Sequence, residues 1–204
     1  MTIRVDVWSD FVCPWCYAAA LNLRALQQTE PVDVVWHSYE LRPEGAPPMP
    51  PEYRQHIETE ARPRFNQMMR EQYQLEMNPG PFGISSRLAL IADKYAEAQG
   101  NADFHVAVTE AYWLHSRDIS QIAVLREIAE GVGLDGAAFE AVLSDAAARA
   151  PYDALVSADV RQAAAYGLQG VPAQIFNSRY LIPGAVPVDT LRELVAELKQ
   201  SASR

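Results

Sequence analysis

Both cysteines of this 204-residue chain fall in one tetrapeptide, Cys13-Pro14-Trp15-Cys16. Thiols at that spacing suit three kinds of chemistry: a redox dithiol, half of a metal site, or a small structural disulfide. The local sequence supplies a mechanism for the first. Cys13 follows a strand pattern and opens a helical one, and Pro14 suits the first helical position, where its missing N–H costs nothing. Cys13 then sits at or beside the N-cap. There its sulfur can accept hydrogen bonds from the orphan amides of Trp15 and Cys16, and the helix dipole favours negative charge. Both effects favour thiolate over thiol, and the thiolate is the form that attacks a disulfide sulfur. Pro14 and Trp15 bring no positive charge, so this thiolate leans on backbone amides alone. Cys16 lies one turn further in, on the same side of the helix, where β-carbons three residues apart come close enough to be bridged. It is expected to be the more buried, less acidic, resolving thiol.

A second stretch, "GLQGVPAQIF", opens a late strand pattern with Pro172. A cis Val171–Pro172 bond there would leave the backbone of Val171 as a short strand edge beside Cys13. An extended substrate could pair with that edge. Pro14 and Trp15 would border the same surface, Trp15 facing out from the second helical position. Asp10, three residues before Cys13, and Glu40 are candidate proton-handling groups, though surface or capping carboxylates are the simpler reading. Ser85 and Ser86 stand where a cap for the helix beginning "RLALI" belongs. Met68, Met69 and Met77, beside Phe65, Tyr73 and Phe82, could line an adaptable groove, but at helical spacing they read as core.

The other uses of two thiols fare worse. A closed zinc site needs about four ligands, and there is no second cysteine pair. His37, His56, His105 and His115 lack the close His–His spacing of zinc motifs, so no metal is expected. "MTIRVDVWSDF" carries Asp6 and Asp10 where a signal peptide would be apolar, so a cytoplasmic location is expected. In a reducing compartment a Cys-x-x-Cys is more often catalytic or metal-binding than structural. A net charge of −9 argues against nucleic-acid binding, and no apolar run approaches the ~20 residues of a membrane span. Hydrophobic residues at 49% and charged residues at 21% describe an ordinary globular chain whose fold rests on its core.

The elements that must position these residues are legible in outline. Ile3, Val5 and Val7 alternate with Arg4 and Asp6, a half-buried strand pattern. A helix follows the cysteines and ends before Pro31; "VDVVWHSYEL", residues 32–41, reads as a second strand. Strand, helix and strand in about forty residues make a βαβ unit with a right-handed crossover. "RPEGAPPMPPEY" then breaks the pattern, and helical character holds to about residue 166. Leu88, Ile91, Ala92 and Tyr95 share one face, as do Ile122, Leu125, Ala129 and Val132, and Phe139, Val142, Leu143 and Ala146. Asp135 is placed to cap a helix. "VPAQIF" and "RYLIPG", parted by Asn177 and Ser178, read as a hairpin, and Leu191, Leu194, Val195 and Leu198 mark a final helix.

"CPWC", and "GVP" before a late hairpin, resemble the thioredoxin superfamily, and the helical block between the halves resembles that of the DsbA family. More narrowly, "SDFVCPWCYAAA", "SSRLALIADKYAEAQG", "AYWLHSRDIS" and "GVPAQIFNSRYLIPGA" are similar to its FrnE-like branch, a neighbour of the 2-hydroxychromene-2-carboxylate isomerases. The likeness runs from Val5 to Leu198. It implies an α/β thioredoxin-like fold (βαβ…ββα) built from residues 1–45 and 167–204, with an inserted all-helical subdomain at 46–166. It implies thiol–disulfide oxidoreductase activity on thiol- or disulfide-containing substrates, with Cys13 as nucleophile, Cys16 as resolving thiol and Pro172 as the cis-proline. The cysteine pair itself would be the redox group, with glutathione as a redox partner and no other cofactor. Isomerase and kappa-type glutathione transferase relatives typically carry Ser where Cys13 stands, and Ser85 and Ser86 fall near where such relatives meet glutathione. Keeping both cysteines favours redox chemistry. The competing readings are a glutathione-dependent isomerase or transferase and a non-catalytic, chaperone-like peptide-binding module. Family members often carry Gln where this chain has Val186.

Overall fold

The computed structural model describes residues 2–202 and divides into two compact units, Met1–Leu41 with Asp153–Arg204, and Arg42–Tyr152. In the first unit β1 (Ile3–Ser9), α1 (Pro14–Gln27) and β2 (Val32–Ser38) form the expected βαβ motif. The second unit follows with α2 (Pro51–His56), a π-helical turn over 57–61, α3 (Arg62–Tyr73), α4 (Arg87–Ala98), α5 (Asp103–Trp113), α6 (Ile122–Gly131) and α7 (Gly136–Ser144). α8 (Ala146–Ala165) carries the boundary between the units, and β3 (Ala173–Phe176), β4 (Tyr180–Pro183) and α9 (Val188–Ala202) complete the first.

Among the described residues four strands form one mixed sheet in the order β2-β1-β3-β4. β1 runs parallel to β2, with Ile3 opposite Val32 and Trp8 opposite His37, and antiparallel to β3, with Val5 opposite Phe176 and Trp8 opposite Ala173. This is the thioredoxin-like arrangement, with the central strand delivering its C-terminal end to Cys13. The hairpin joining β3 to β4 turns on Asn177 and Ser178, both at positive φ (48° and 54°). That geometry matches the right-handed twist of the strands and suits Asn in particular.

Odd-numbered residues of β1 face α1 and α9. Ile3, Val5 and Val7 pack there with Leu23, Leu26, Val32, Phe176, Leu191, Val195 and Leu198. The half-buried pattern predicted a solvated second face, and the structure differs. Asp6 and Trp8 are buried as well, because the last part of α8 covers that side: Trp8 packs with Ala163 and Ala173, and its Nε1–H donates to the Asp159 carbonyl at 3.1 Å. The same packing explains the domain boundary. Sequence put it at 166/167, at the end of the helical texture. The structure divides within α8, since Asp153–Ala165 belong with the sheet. An uninterrupted helix gives periodicity no mark at which one neighbour replaces another.

Within the helical unit the middle of each stripe read from sequence is core, while Leu88, Ile122, Val132 and Val142 are half-buried and Ala146 is exposed, lying beyond α7 at the start of α8. Leu125, Ala129, Phe139 and Leu143 are fully buried, and Asp135 caps α7 by accepting from the Ala137 and Ala138 N–H groups at 2.9 and 3.0 Å. Phe65 and Met69 are buried, with Phe65 against Trp113, so this part of the methionine stripe is packing. Ser86 holds the N-cap position of α4, yet it is the Ser85 hydroxyl that accepts the Arg87 N–H, at 3.3 Å.

Candidate active site

Cys13 is the N-cap of α1, with extended dihedrals (φ −91°, ψ 116°), and Pro14 opens the helix. Of the two amides expected to reach the sulfur, the Cys16 N–H donates to Cys13 Sγ at 3.4 Å. The Cys13 N–H in turn donates to the Asp10 carbonyl at 3.1 Å, tightening the turn between β1 and α1. Both cysteines are free thiols, and both are buried. Cys13 Sγ–H donates to the Val171 carbonyl at 3.6 Å, across 158 positions of sequence. The Val171–Pro172 peptide is cis. Residues Cys13, Cys16, Val171 and Pro172, chosen from sequence, therefore share one place in the first unit, while Trp15 stands 47% exposed on the same helical turn.

Burial pushes the Cys16 thiol well above the ordinary cysteine range, and its hydrogen bond and electrostatic interaction with Cys13 add to the effect. The backbone of Asp10 and the Ser9 hydroxyl act in the opposite sense, and they are outweighed.

Asp10 and Glu40 are both buried, which sequence did not foresee. Asp10 works as a clamp: Oδ1 accepts the Val12 N–H at 3.2 Å and Oδ2 the Leu41 N–H at 2.7 Å, tying the cysteine turn to the chain leaving β2. Two further buried amides carry no mark in the sequence. Gln174 Nε2 donates to the Gly184 carbonyl at 2.9 Å, and the Gly184 N–H donates to the Pro172 carbonyl at 2.8 Å. Asn22 of α1 donates to the Val186 carbonyl at 2.8 Å. Together they fasten the segment after β4 to the cysteine helix and to Pro172. An amide on a strand or helix reads as polar surface unless its partners are known.

On the other side of the sheet His37 lies between two carboxylates: Nδ1 is 3.0 Å from Asp159 Oδ1 and Nε2 is 2.9 Å from Asp6 Oδ1. Burial lowers the basicity of its ring, but the hydrogen bonds and charges of Asp159 and Asp6 outweigh that and raise it. For Asp6 burial favours the neutral acid, and the hydrogen bonds from Arg4 and His37 outweigh it, holding the carboxyl below its ordinary range. In the sequence this cluster carries no mark, because Arg4 and Asp6 fit a solvated strand face.

Among the described residues no group of three or more His, Cys, Asp or Glu is placed to hold a metal ion, and no helix is long and apolar enough to cross a membrane. A family profile described as a DSBA-like thioredoxin domain matches residues 4–196. The uncharacterized protein YwbO of Bacillus subtilis is 27% identical over 207 residues, covering 97% of this chain and 98% of that one. The crystal structure of a probable DsbA oxidoreductase from Streptomyces coelicolor superposes with a TM-score of 0.79 at 25% identity, covering 96% of this chain and 89% of the other. A 2-hydroxychromene-2-carboxylate isomerase shares the fold with a TM-score of 0.76 at 22% identity, covering 98% of each chain.

Proposed function

The chain belongs to the DSBA-like thioredoxin domain family, and we propose that it is a thiol–disulfide oxidoreductase working through Cys13 and Cys16. The observation that carries this reading is the shared position of an N-cap thiol, a buried thiol one turn deeper and the Val171 carbonyl on the Cys13 sulfur. In the reductive direction the Cys13 thiolate attacks one sulfur of a substrate disulfide. The Cys13–substrate S–S bond forms as the substrate's own S–S bond breaks, and the departing sulfur takes up a proton. Cys16 then loses its proton and attacks Cys13, forming the intramolecular disulfide and expelling the second substrate sulfur as a thiol. The substrate gains two electrons and two protons, and the dithiol loses them. The reverse sequence oxidises a substrate dithiol.

The remaining parts fit this use. Val171 precedes both ladders of β3, whose pairings begin at Ala173. Its backbone, outside both ladders and touched by Cys13 at its carbonyl, is the edge an extended peptide would use, with Pro14 and Trp15 on the helical turn after Cys13. The redox group is the chain's own cysteine pair, and glutathione is its partner in a reducing compartment such as the cytoplasm. The substrates are protein or small-molecule thiols and disulfides.

The test is equilibration of the protein in glutathione redox buffers with free thiols counted by mass. A reversible two-electron transition near the extracted cytosolic poise of about −220 to −260 mV is expected. Cys16→Ser should arrest turnover at a mixed disulfide on Cys13. If no Cys13–Cys16 disulfide forms, and Cys16→Ser retains glutathione-dependent turnover that needs Cys13, the glutathione-dependent isomerase or transferase reading replaces this one. Client protection that survives Ala at both cysteines would instead mark a chaperone-like module.

A further inference from the structure

His37 has both ring nitrogens within hydrogen-bond distance of carboxylate oxygens, Asp159 Oδ1 at 3.0 Å and Asp6 Oδ1 at 2.9 Å. A neutral imidazole has one N–H and one lone pair, so in either tautomer a lone pair would face a carboxylate. Only the doubly protonated ring satisfies both contacts. All three side chains are mostly buried, with 11–14% of their surface exposed. The charged groups around the ring come from each neighbouring element: Asp6 on β1, which also takes a two-pronged contact from Arg4, and Asp159 on α8, with Asp33 of β2 near Arg4. With the ring protonated, Arg4, Asp6, His37 and Asp159 sum to zero. Without that proton they carry one uncompensated negative charge in a buried place, which is costly.

This cluster touches the floor of the proposed substrate edge. Trp8 stacks on the His37 ring with centroids 4.4 Å apart and planes 15° from parallel, and Tyr166 meets Trp8 edge-on. Trp8 forms one apolar cluster with Ala163 and Ala173, and Leu168 and Val171, which lead out of α8 to Pro172, pack against that cluster. Asp159 holds the same helix from its other oxygen, Oδ2, which accepts the Ser38 N–H at 2.8 Å.

We propose that His37, clamped between Asp6 and Asp159, is a positioning residue for substrate binding: through Trp8 and the end of α8 it fixes the Val171–Pro172 edge. Its protonation therefore controls how well an extended peptide docks, while the cysteine chemistry is left alone. This rests on the redox reading of Cys13 and Cys16 for its consequence in turnover. Its structural content stands apart from that reading.

Two measurements test it. In the first, the Val171 methyl resonances are followed from pH 5 to 10 alongside the His37 ring resonances. They should titrate together, and in His37→Phe, which keeps a ring beside Trp8 but no N–H, the Val171 titration should vanish. Val171 methyls that stay still while His37 titrates overturn the proposal, whatever the protein catalyses. In the second, KM and kcat are measured for a disulfide-bonded peptide, beside the rate with a small aromatic disulfide too short to use the edge. KM for the peptide should rise about tenfold in the wild type above the His37 transition, and at all pH values in His37→Phe, with kcat and the small-disulfide rate changed less than twofold. A pH-independent KM, or an equal slowing of both substrates, overturns it. Should His37→Phe fail to fold, Asp159→Asn replaces it: with one of the two carboxylates gone, the His37 and Val171 titrations and the rise in peptide KM should move together to lower pH, and a Val171 titration that stays where it was while that of His37 moves overturns the proposal. A wild type that forms no Cys13–Cys16 disulfide refutes the redox reading and leaves the Val171 titration to decide this one.

Discussion

Replacing Asp10 separates a clamp from a proton carrier. The side chain is 1% exposed and each carboxylate oxygen accepts a backbone N–H, from Val12 at 3.2 Å and from Leu41 at 2.7 Å. Asn has one acceptor oxygen, so in Asp10→Asn one of those N–H groups must face an amide N–H instead. Orphaning a buried donor costs about 1–3 kcal/mol. Leu41 is 43% exposed, so water can reach its backbone in part, and the loss should fall at about 1–2 kcal/mol. Asp10→Ala orphans both donors and should cost about twice as much, roughly 2–4 kcal/mol. Urea unfolding of the reduced protein measures this. With a slope of about 2 kcal/mol/M, Asp10→Asn should lower the midpoint by about 0.5–1 M, and Asp10→Ala by about 1–2 M, with the slope unchanged. Resolution of a Cys13 mixed disulfide by Cys16 should slow less than threefold in the Asn variant. The reasoning fails if Asp10→Asn is as stable as wild type while resolution collapses: Asp10 would then be handling the Cys16 proton.

The Asp6–His37–Asp159 cluster predicts stability limited at both ends of the pH scale. The His37 contribution is fully present below about pH 6.5 and is lost as pH rises through its elevated folded value; the Asp6 contribution is present above about pH 3.9 and is lost as pH falls through its depressed one. Tm should therefore peak between these limits, and His37→Phe should remove the alkaline decline; an unaltered alkaline limb in that variant would contradict the assignment. Trp15→Ala, at an exposed position, should change stability by less than about 0.5 kcal/mol. The same change should slow reaction with peptide disulfides more than with small ones, which stopped-flow mixing can compare. In the helical unit a Cβ on Gly80 would lie 2.3 Å from the Arg117 carbonyl and 2.8 Å from the Tyr112 ring. Gly80→Ala should cost about 1–3 kcal/mol in urea unfolding, and a neutral result would mean that loop yields freely.

What sequence makes legible here is what depends on near neighbours. Pro14 after Cys13 encodes the start of α1, Asp135 its own cap, and Asn177-Ser178 the hairpin turn, each within a few residues of what it determines. The cysteine pair stands out because the chain has only two cysteines, and Pro172 because a Val-Pro opening a late hairpin has a narrow use beside them, although the chain has 14 prolines. Asp6, His37 and Asp159 do not stand out, because their meaning is relational: Asp6 and Asp159 are ordinary carboxylates until a histidine from β2 is inserted between them. Asn22 and Gln174 fail to signal for the same reason, their partners being carbonyls after β4. The shift of the domain boundary from residue 166 into α8 has the same root, since a helix can change what it packs against with no change of period.

The Cys13–Val171 contact spans 158 positions of chain, and that separation matters before the protein is finished. On a ribosome adding about 5–20 residues per second, both thiols emerge roughly 8–30 s before Val171, whose carbonyl is to meet Cys13. For that interval they are exposed cysteines on a growing chain, open to any oxidant or electrophile nearby. The helical unit is made entirely within this delay. Keeping the nascent pair reduced thus falls to the surrounding thiol pool, and a cell short of reductant would damage this protein during its synthesis before it damaged the folded form.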